Sequence, residues 1–130
     1  MTKEVFRVDG ISETVTDRGV PLSAVVKGGG LVFVSGMPPI DRKTQKMVRG
    51  DMLAQAEASL DNVQAALEAA GSSLEKVLKV TIYVTNAAYY KSINELYARY
   101  FRDNWPARTF VTVASWPGEF DIEVECVALA

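Results

Sequence analysis

Between Asp51 and Gly71 apolar residues recur at spacings of three and four: Leu53, Ala56, Leu60, Val63, Leu67 and Ala70. That period belongs to an α-helix with one apolar stripe, and such a stripe needs a second layer to bury it. Asp51 suits the N-cap, and Gly71 suits the left-handed residue that closes the last turn. Segments of strand period flank this helix. Leu31–Gly36 is a short apolar run bounded by Gly28-Gly29-Gly30 and by Pro38-Pro39. Asp41–Asp51 is polar and reads as a loop. Val77–Thr85 alternates, with Leu78, Val80, Ile82 and Val84 on one face and Lys79, Thr81 and Tyr83 on the other.

A second helix is expected after Asn86, with Tyr89, Ile93, Leu96, Tyr97 and Tyr100 as its apolar stripe and Asn104–Pro106 as its end. Two strands follow, Thr109–Ser115 and Phe120–Leu129, which read as a hairpin across Pro117-Gly118. The order predicts an α+β domain, a mixed β-sheet with two α-helices packed on one face. In the last strand Ile122, Val124, Cys126 and Ala128 point toward the helices, which leaves Glu123, Glu125, Val127 and Leu129 opposite. Its predecessor divides Val111 and Val113 from Phe110, Thr112 and Ala114. A face that mixes aliphatics with carboxylates points to a subunit interface with polar pockets.

With 130 residues, the chain is long enough for one domain, 1–130, with a core that needs no disulfide. A net charge of −2 and a pI near 5.2 offer no field for phosphate backbones, so no nucleic-acid partner is expected. No apolar run reaches the ~20 residues that cross a bilayer, and the opening MTKEVFRVDG lacks the apolar core of a signal peptide. No membrane partner and a cytoplasmic location are expected.

The chain has no histidine and a single cysteine, Cys126, which reads as a small core residue. That excludes the usual Ser/His and Cys/His nucleophile arrangements and nearly all zinc, copper and haem sites. No acidic calcium loop is present, and the glycines at 28–30 lack the Lys and Ser/Thr of a phosphate loop. Any chemistry rests on Arg, Glu/Asp, Ser/Thr, Tyr, backbone groups and water.

Three candidates carry it. Arg108 stands between the stiff Trp105-Pro106-Ala107 approach and the start of a strand, where its planar fork suits a carboxylate. Glu123 and Glu125 share one strand face, and a partly apolar pocket there would raise the pKa of an acid/base; the spacing alone leaves open which of the two faces a site. Ser35-Gly36, at the end of a buried strand, allows a ligand close to the backbone. The tyrosines of the second helix read as core and interface.

The blocks GGGLVFVSGMPPIDRKT, QAEASLDNVQAALEAAGSSLEKVLKVTIYVTN, INELYARYF, PARTFVTVASWP and IEVECVA resemble, in order, those of the RidA/YjgF family of reactive-intermediate imine deaminases. The resemblance runs from about Pro21 to the C-terminus. It implies a homotrimer of chorismate-mutase-like α+β subunits with three sites in the clefts between neighbours. It also implies hydrolysis of 2-imino acids to 2-oxo acids and ammonia, with neither cofactor nor metal. By the same resemblance Arg108 clamps the substrate carboxylate, and Glu123 orients the hydrolytic water and shuttles protons. Ser35 and Gly36 line the pocket, Asn94 is the asparagine of the N-x-x-Y block, and the backbone at Phe110 helps bind the carboxylate. Three positions depart from the family pattern: Leu22 stands for a tyrosine, Met37 for a glutamine, and Phe110 for a small residue. They imply a more apolar pocket and a preference for imines with apolar side chains. The alternative within the same fold is a non-catalytic binder of 2-oxo acids.

Overall fold

The computed structural model describes residues 2–130. Its elements are, in chain order, β1 (Glu4–Phe6), β2 (Val25–Gly28), β3 (Leu31–Met37), β4 (Ile40–Asp41), β5 (Lys46–Met47), α1 (Met52–Ala69), β6 (Val77–Val84), α2 (Tyr90–Phe101), β7 (Ala107–Thr112) and β8 (Ile122–Leu129). Six strands form one sheet in the order β1-β2-β3-β8-β6-β7, and β4 pairs with β5 as a separate small hairpin. Neighbours in the sheet run antiparallel except β6 and β7, which are parallel. Both helices cover one face of it, α1 over β3 and β8 and α2 over β7.

The expected hairpin of the last two strands is not formed. β6 lies between β7 and β8, parallel to the first and antiparallel to the second. A strand joined to the next by a helix returns parallel to it, so α2 commits β7 to the outer side of β6. β8 then takes the place on the other side, where Ile122, Val124, Cys126 and Ala128 are buried under the helices. β7 is left as the sheet edge.

α1 begins where expected: the Asp51 side chain accepts from the Leu53 N–H, and Gly71 follows the helix at φ 79°. Its buried face differs from the apolar stripe read in the sequence. Leu53 is exposed, whereas Gln55, Ser59 and Asn62 are fully buried beside Ala56, Leu60, Val63 and Leu67. The stripe is therefore part polar. Each of those side chains finds a backbone partner, as a buried polar group must.

Three further boundaries shift. In β6 the register against β8 slips between Val77 and Lys79, so Val77 is buried and Leu78, expected inside, is exposed. Asn86 caps a short 3₁₀ turn, Ala87–Tyr89, instead of the helix itself; Tyr89 is exposed and Phe101 joins the buried stripe in its place. α2 ends at Phe101, before the expected Asn104–Pro106, because Arg102 and Asn104 take positive φ and reverse the chain. The next strand accordingly starts at Ala107, two residues early, and Arg108 lies inside it.

Candidate functional site

Glu123 lies on the face of β8 away from the helices, in register with Tyr83 of β6. Across from it β3 carries a bulge. Val34 pairs with Cys126 and Met37 with Val124, so Ser35 and Gly36 together oppose one residue, Glu125. The bulge turns Gly36 onto the Glu123 carboxyl so closely that a Cβ there would overlap Oε1. A side chain there would push the carboxyl out of this seat. Ser35 is fixed from behind: its N–H donates to the Ala24 carbonyl at 2.9 Å and its hydroxyl to the Ser23 carbonyl at 2.6 Å. That tie brings the Leu22–Ala24 segment beside the same cluster. Leu22 itself is exposed.

Burial, and then the neighbouring Glu125 charge, push the Glu123 carboxyl up to about 7. Tyr83 donates its phenolic hydrogen to Glu125 and is itself raised by that bond, so it stays protonated at neutral pH. Trp116 meets the Tyr83 ring edge-on at 6.1 Å and stacks on Phe120. Tyr83 is the member of this cluster that the sequence reading missed. Its position opposite Glu123 depends on β6 and β8 being neighbours, which the expected hairpin did not provide.

Arg108 belongs to a second cluster. It pairs in register with Val80, a residue of the helix-covered face, and reaches α2. Its guanidinium donates to Asn94 Oδ1 at 2.7 Å and lies 4.9 Å from the Tyr97 ring centre and 5.6 Å from that of Tyr90. Phe110, two residues on, meets Tyr90 edge-to-face at 4.9 Å. Asn94, Tyr97, Ala98, Trp105, Pro106 and Arg108 line a cavity of about 240 Å³ here. The tyrosines expected only as core and interface are thus also the platform under the guanidinium. Tyr97 is buried as well, and burial pushes its phenol up to about 12.

The backbone of β7 adds donors. Val113 N–H bonds to the Val84 carbonyl, toward β6. In a parallel ladder alternate residues bond to the same neighbour, so the N–H groups of Arg108 and Phe110 point to the free edge. A guanidinium and edge N–H groups together form a receiver for a carboxylate.

The two clusters do not meet within one chain. Arg108 and Phe110 lie on the helix side of the edge strand, and Ser35, Gly36 and Glu123 lie on the opposite face. Glu123 is also two strands away, about 10 Å at ordinary strand spacing. A larger open groove of about 640 Å³, between the β4–β5 hairpin and α1, is lined by neither cluster. Among the described residues no three His, Cys, Asp or Glu side chains converge as a metal site would require. No described helix is long and apolar enough to cross a membrane.

The family profile described as Endoribonuclease L-PSP matches residues 16–130. A RutC family protein of Pyrococcus horikoshii is 43% identical over 83% of this chain and 86% of its own length. The chloroplastic Reactive Intermediate Deaminase A of Arabidopsis thaliana is 38% identical over 83% of this chain and 58% of its own length. A solved structure of a protein of unknown function from Yersinia pestis, of the conserved Rid protein family, superposes with a TM-score of 0.90 at 30% identity. It covers 99% of this chain and all of its own. With most of its length matched in sequence and its two-helix, mixed-sheet fold shared, the chain belongs to the RidA/YjgF family, the family of that L-PSP profile.

Proposed function

We propose that the protein hydrolyses small 2-imino acids, formed from enamines, to 2-oxo acids and ammonia, in clefts between the subunits of a homotrimer. The seat of Glu123 carries this reading. A carboxyl held half-buried against a glycine and titrating near 7 is poised both to take and to return a proton at neutral pH.

The carboxylate of a 2-imino acid is bonded directly to its imine carbon. A clamp and a base serving one such molecule must therefore reach atoms that are bonded neighbours, with reacting groups about 3–3.5 Å apart. Arg108 and Glu123 of one chain are too far apart and on opposite faces. The reading consequently requires Arg108 of one copy to face Glu123 of the next. The uncovered face offers the surface for that contact, because Leu31, Phe33, Val127 and Leu129 pair across β3 and β8 on it and Phe33 and Leu129 are exposed.

In the proposed reaction Arg108 and the Phe110 N–H hold the carboxylate, with Asn94 and the two tyrosine rings fixing the guanidinium. Glu123 takes a proton from water as the water oxygen bonds to the imine carbon and the C=N π pair moves onto the nitrogen. It then returns a proton to the nitrogen of the tetrahedral adduct. Glu123 then takes the hydroxyl proton and passes it to the nitrogen, so that the C–N bond breaks as the C=O bond forms, and ammonia leaves. Phe110 and the cavity beside Arg108 favour apolar side chains on the substrate. The endoribonuclease description of the family profile suits this chain less, since it has net charge −2 and no histidine.

The test is ammonia release from imines generated in situ by an amino-acid oxidase. Loss of a charge-assisted bidentate contact costs about 1.5–3 kcal/mol, so Arg108→Ala is expected to lower kcat/KM by roughly ten- to a hundredfold. Wild-type turnover in that variant would remove Arg108 from the reaction. Binding of 2-oxo acids by the unmodified protein without any turnover would favour the non-catalytic alternative.

A further inference from the structure

One turn of α1 holds both strands that enclose the Glu123 carboxyl. Ser59, fully buried, donates to the Met37 carbonyl at 2.7 Å, at the end of the β3 bulge and next to Gly36. Gln55, one turn earlier and equally buried, uses both ends of its amide on Asp121. Its Nε2 donates to Asp121 Oδ2 at 3.0 Å and its Oε1 accepts from the Asp121 N–H at 2.8 Å. Asp121 stands two residues before Glu123 and is fixed from the other side by the Thr85 hydroxyl at 2.9 Å. Asn62, three residues beyond Ser59 and also buried, donates to the carbonyls of Pro38 and Ile40, each at 2.9 Å.

Polar side chains on the buried face of a helix are costly unless satisfied, and alanine or leucine would pack there without that requirement. All three are satisfied by segments that flank a single seat, Ser59 and Asn62 by carbonyls just past the β3 bulge and Gln55 by the N–H and carboxylate of Asp121. We infer that Ser59 and Gln55 are positioning residues for Glu123: through Met37 and Asp121 they set the distance between the β3 bulge and the start of β8, and so the direction of the Glu123 carboxyl. This rests on the imine-hydrolase reading for its catalytic consequence, though not for its geometry. The groups that face Glu123 are Glu125 on its own strand and Tyr83 on β6, while β3 contributes Ser35 and Gly36, neither of which titrates.

The test compares Ser59→Ala and Gln55→Met with the unmodified protein by kinetics and by a ¹³C-carboxyl NMR titration of Glu123, assigned with Glu123→Gln. Misplacing a reacting group by an ångström costs up to about a hundredfold. In the folded variants kcat should therefore fall on the order of ten- to a hundredfold, with KM unchanged because the Arg108 cluster is untouched. Glu123 should titrate lower than in the wild type as its carboxyl turns to water. A lower melting temperature with kcat and the Glu123 titration both unmoved would overturn the inference and leave the stripe a purely structural device. If the unmodified protein releases no ammonia from imines, the functional reading fails, while the titration still decides whether Ser59 and Gln55 aim the carboxyl.

Discussion

Glu123 sits half-buried against Gly36 and beside Glu125, an environment that holds its carboxyl well above the usual carboxylate range. The folded protein keeps a proton on it that the unfolded chain has released between about pH 4.5 and about pH 7. With more protons bound to the native state, stability falls as pH rises through that window. Replacing Glu123 by Gln removes the penalty. The variant should match the wild type near pH 4 and exceed it at pH 8 by about 1–2 kcal/mol, allowing for solvent screening of a half-buried group. Urea unfolding at the two pH values measures this. In the proposed reaction Glu123 must accept a proton first, so kcat/KM should climb with pH through about 7 and then level. A rate independent of pH between 5 and 8 would count against Glu123 as the base.

At the scale of elements, α1 shows how far a hydrophobic pattern can be trusted. The period places the helix, its cap at Asp51 and its glycine stop at Gly71, all of which the fold bears out. It does not say which side of the stripe turns inward, because Leu53 and Gln55 lie on either flank of it. Burial settles that in favour of the glutamine. Leu60→Ala is accordingly expected to cost about 2–5 kcal/mol, and Leu53→Ala no more than about 0.5 kcal/mol, in urea unfolding at fixed protein concentration. Comparable losses at both positions would mean that Leu53 is covered in the assembled protein. The C-terminal strands carry a similar lesson. Alternation in β8 correctly predicts its buried and open faces, yet pairing partners follow from the helix between β6 and β7, and adjacency in sequence suggested the wrong one.

At the scale of the molecule, the separation of the two clusters turns the trimer proposal into a complementation experiment. Arg108→Ala and Glu123→Ala subunits are each expected to keep no more than about a tenth of wild-type kcat/KM alone. Co-refolded in equal amounts, they form some clefts with an intact Arg108 from one copy and an intact Glu123 from its neighbour. For random assembly about a quarter of the clefts are of this kind, and ammonia release should recover toward that fraction. No recovery in mixed oligomers verified by mass spectrometry would mean that both residues act from one chain.

From the sequence alone came the helix–strand order, the parity of β8, the glycine at position 36, the candidate residues Arg108, Asn94 and Glu123, and the family blocks around them. These are local properties, since caps, periods and motif spacing are written in neighbouring residues. Tertiary structure decided the rest. It put β6 between β7 and β8, buried Gln55, Ser59 and Asn62, set Tyr83 against Glu125, and divided the candidates between two faces of one sheet. Each of those depends on which distant segments become neighbours. That is fixed by helix crossover and by the burial of whole faces, which a local pattern does not contain.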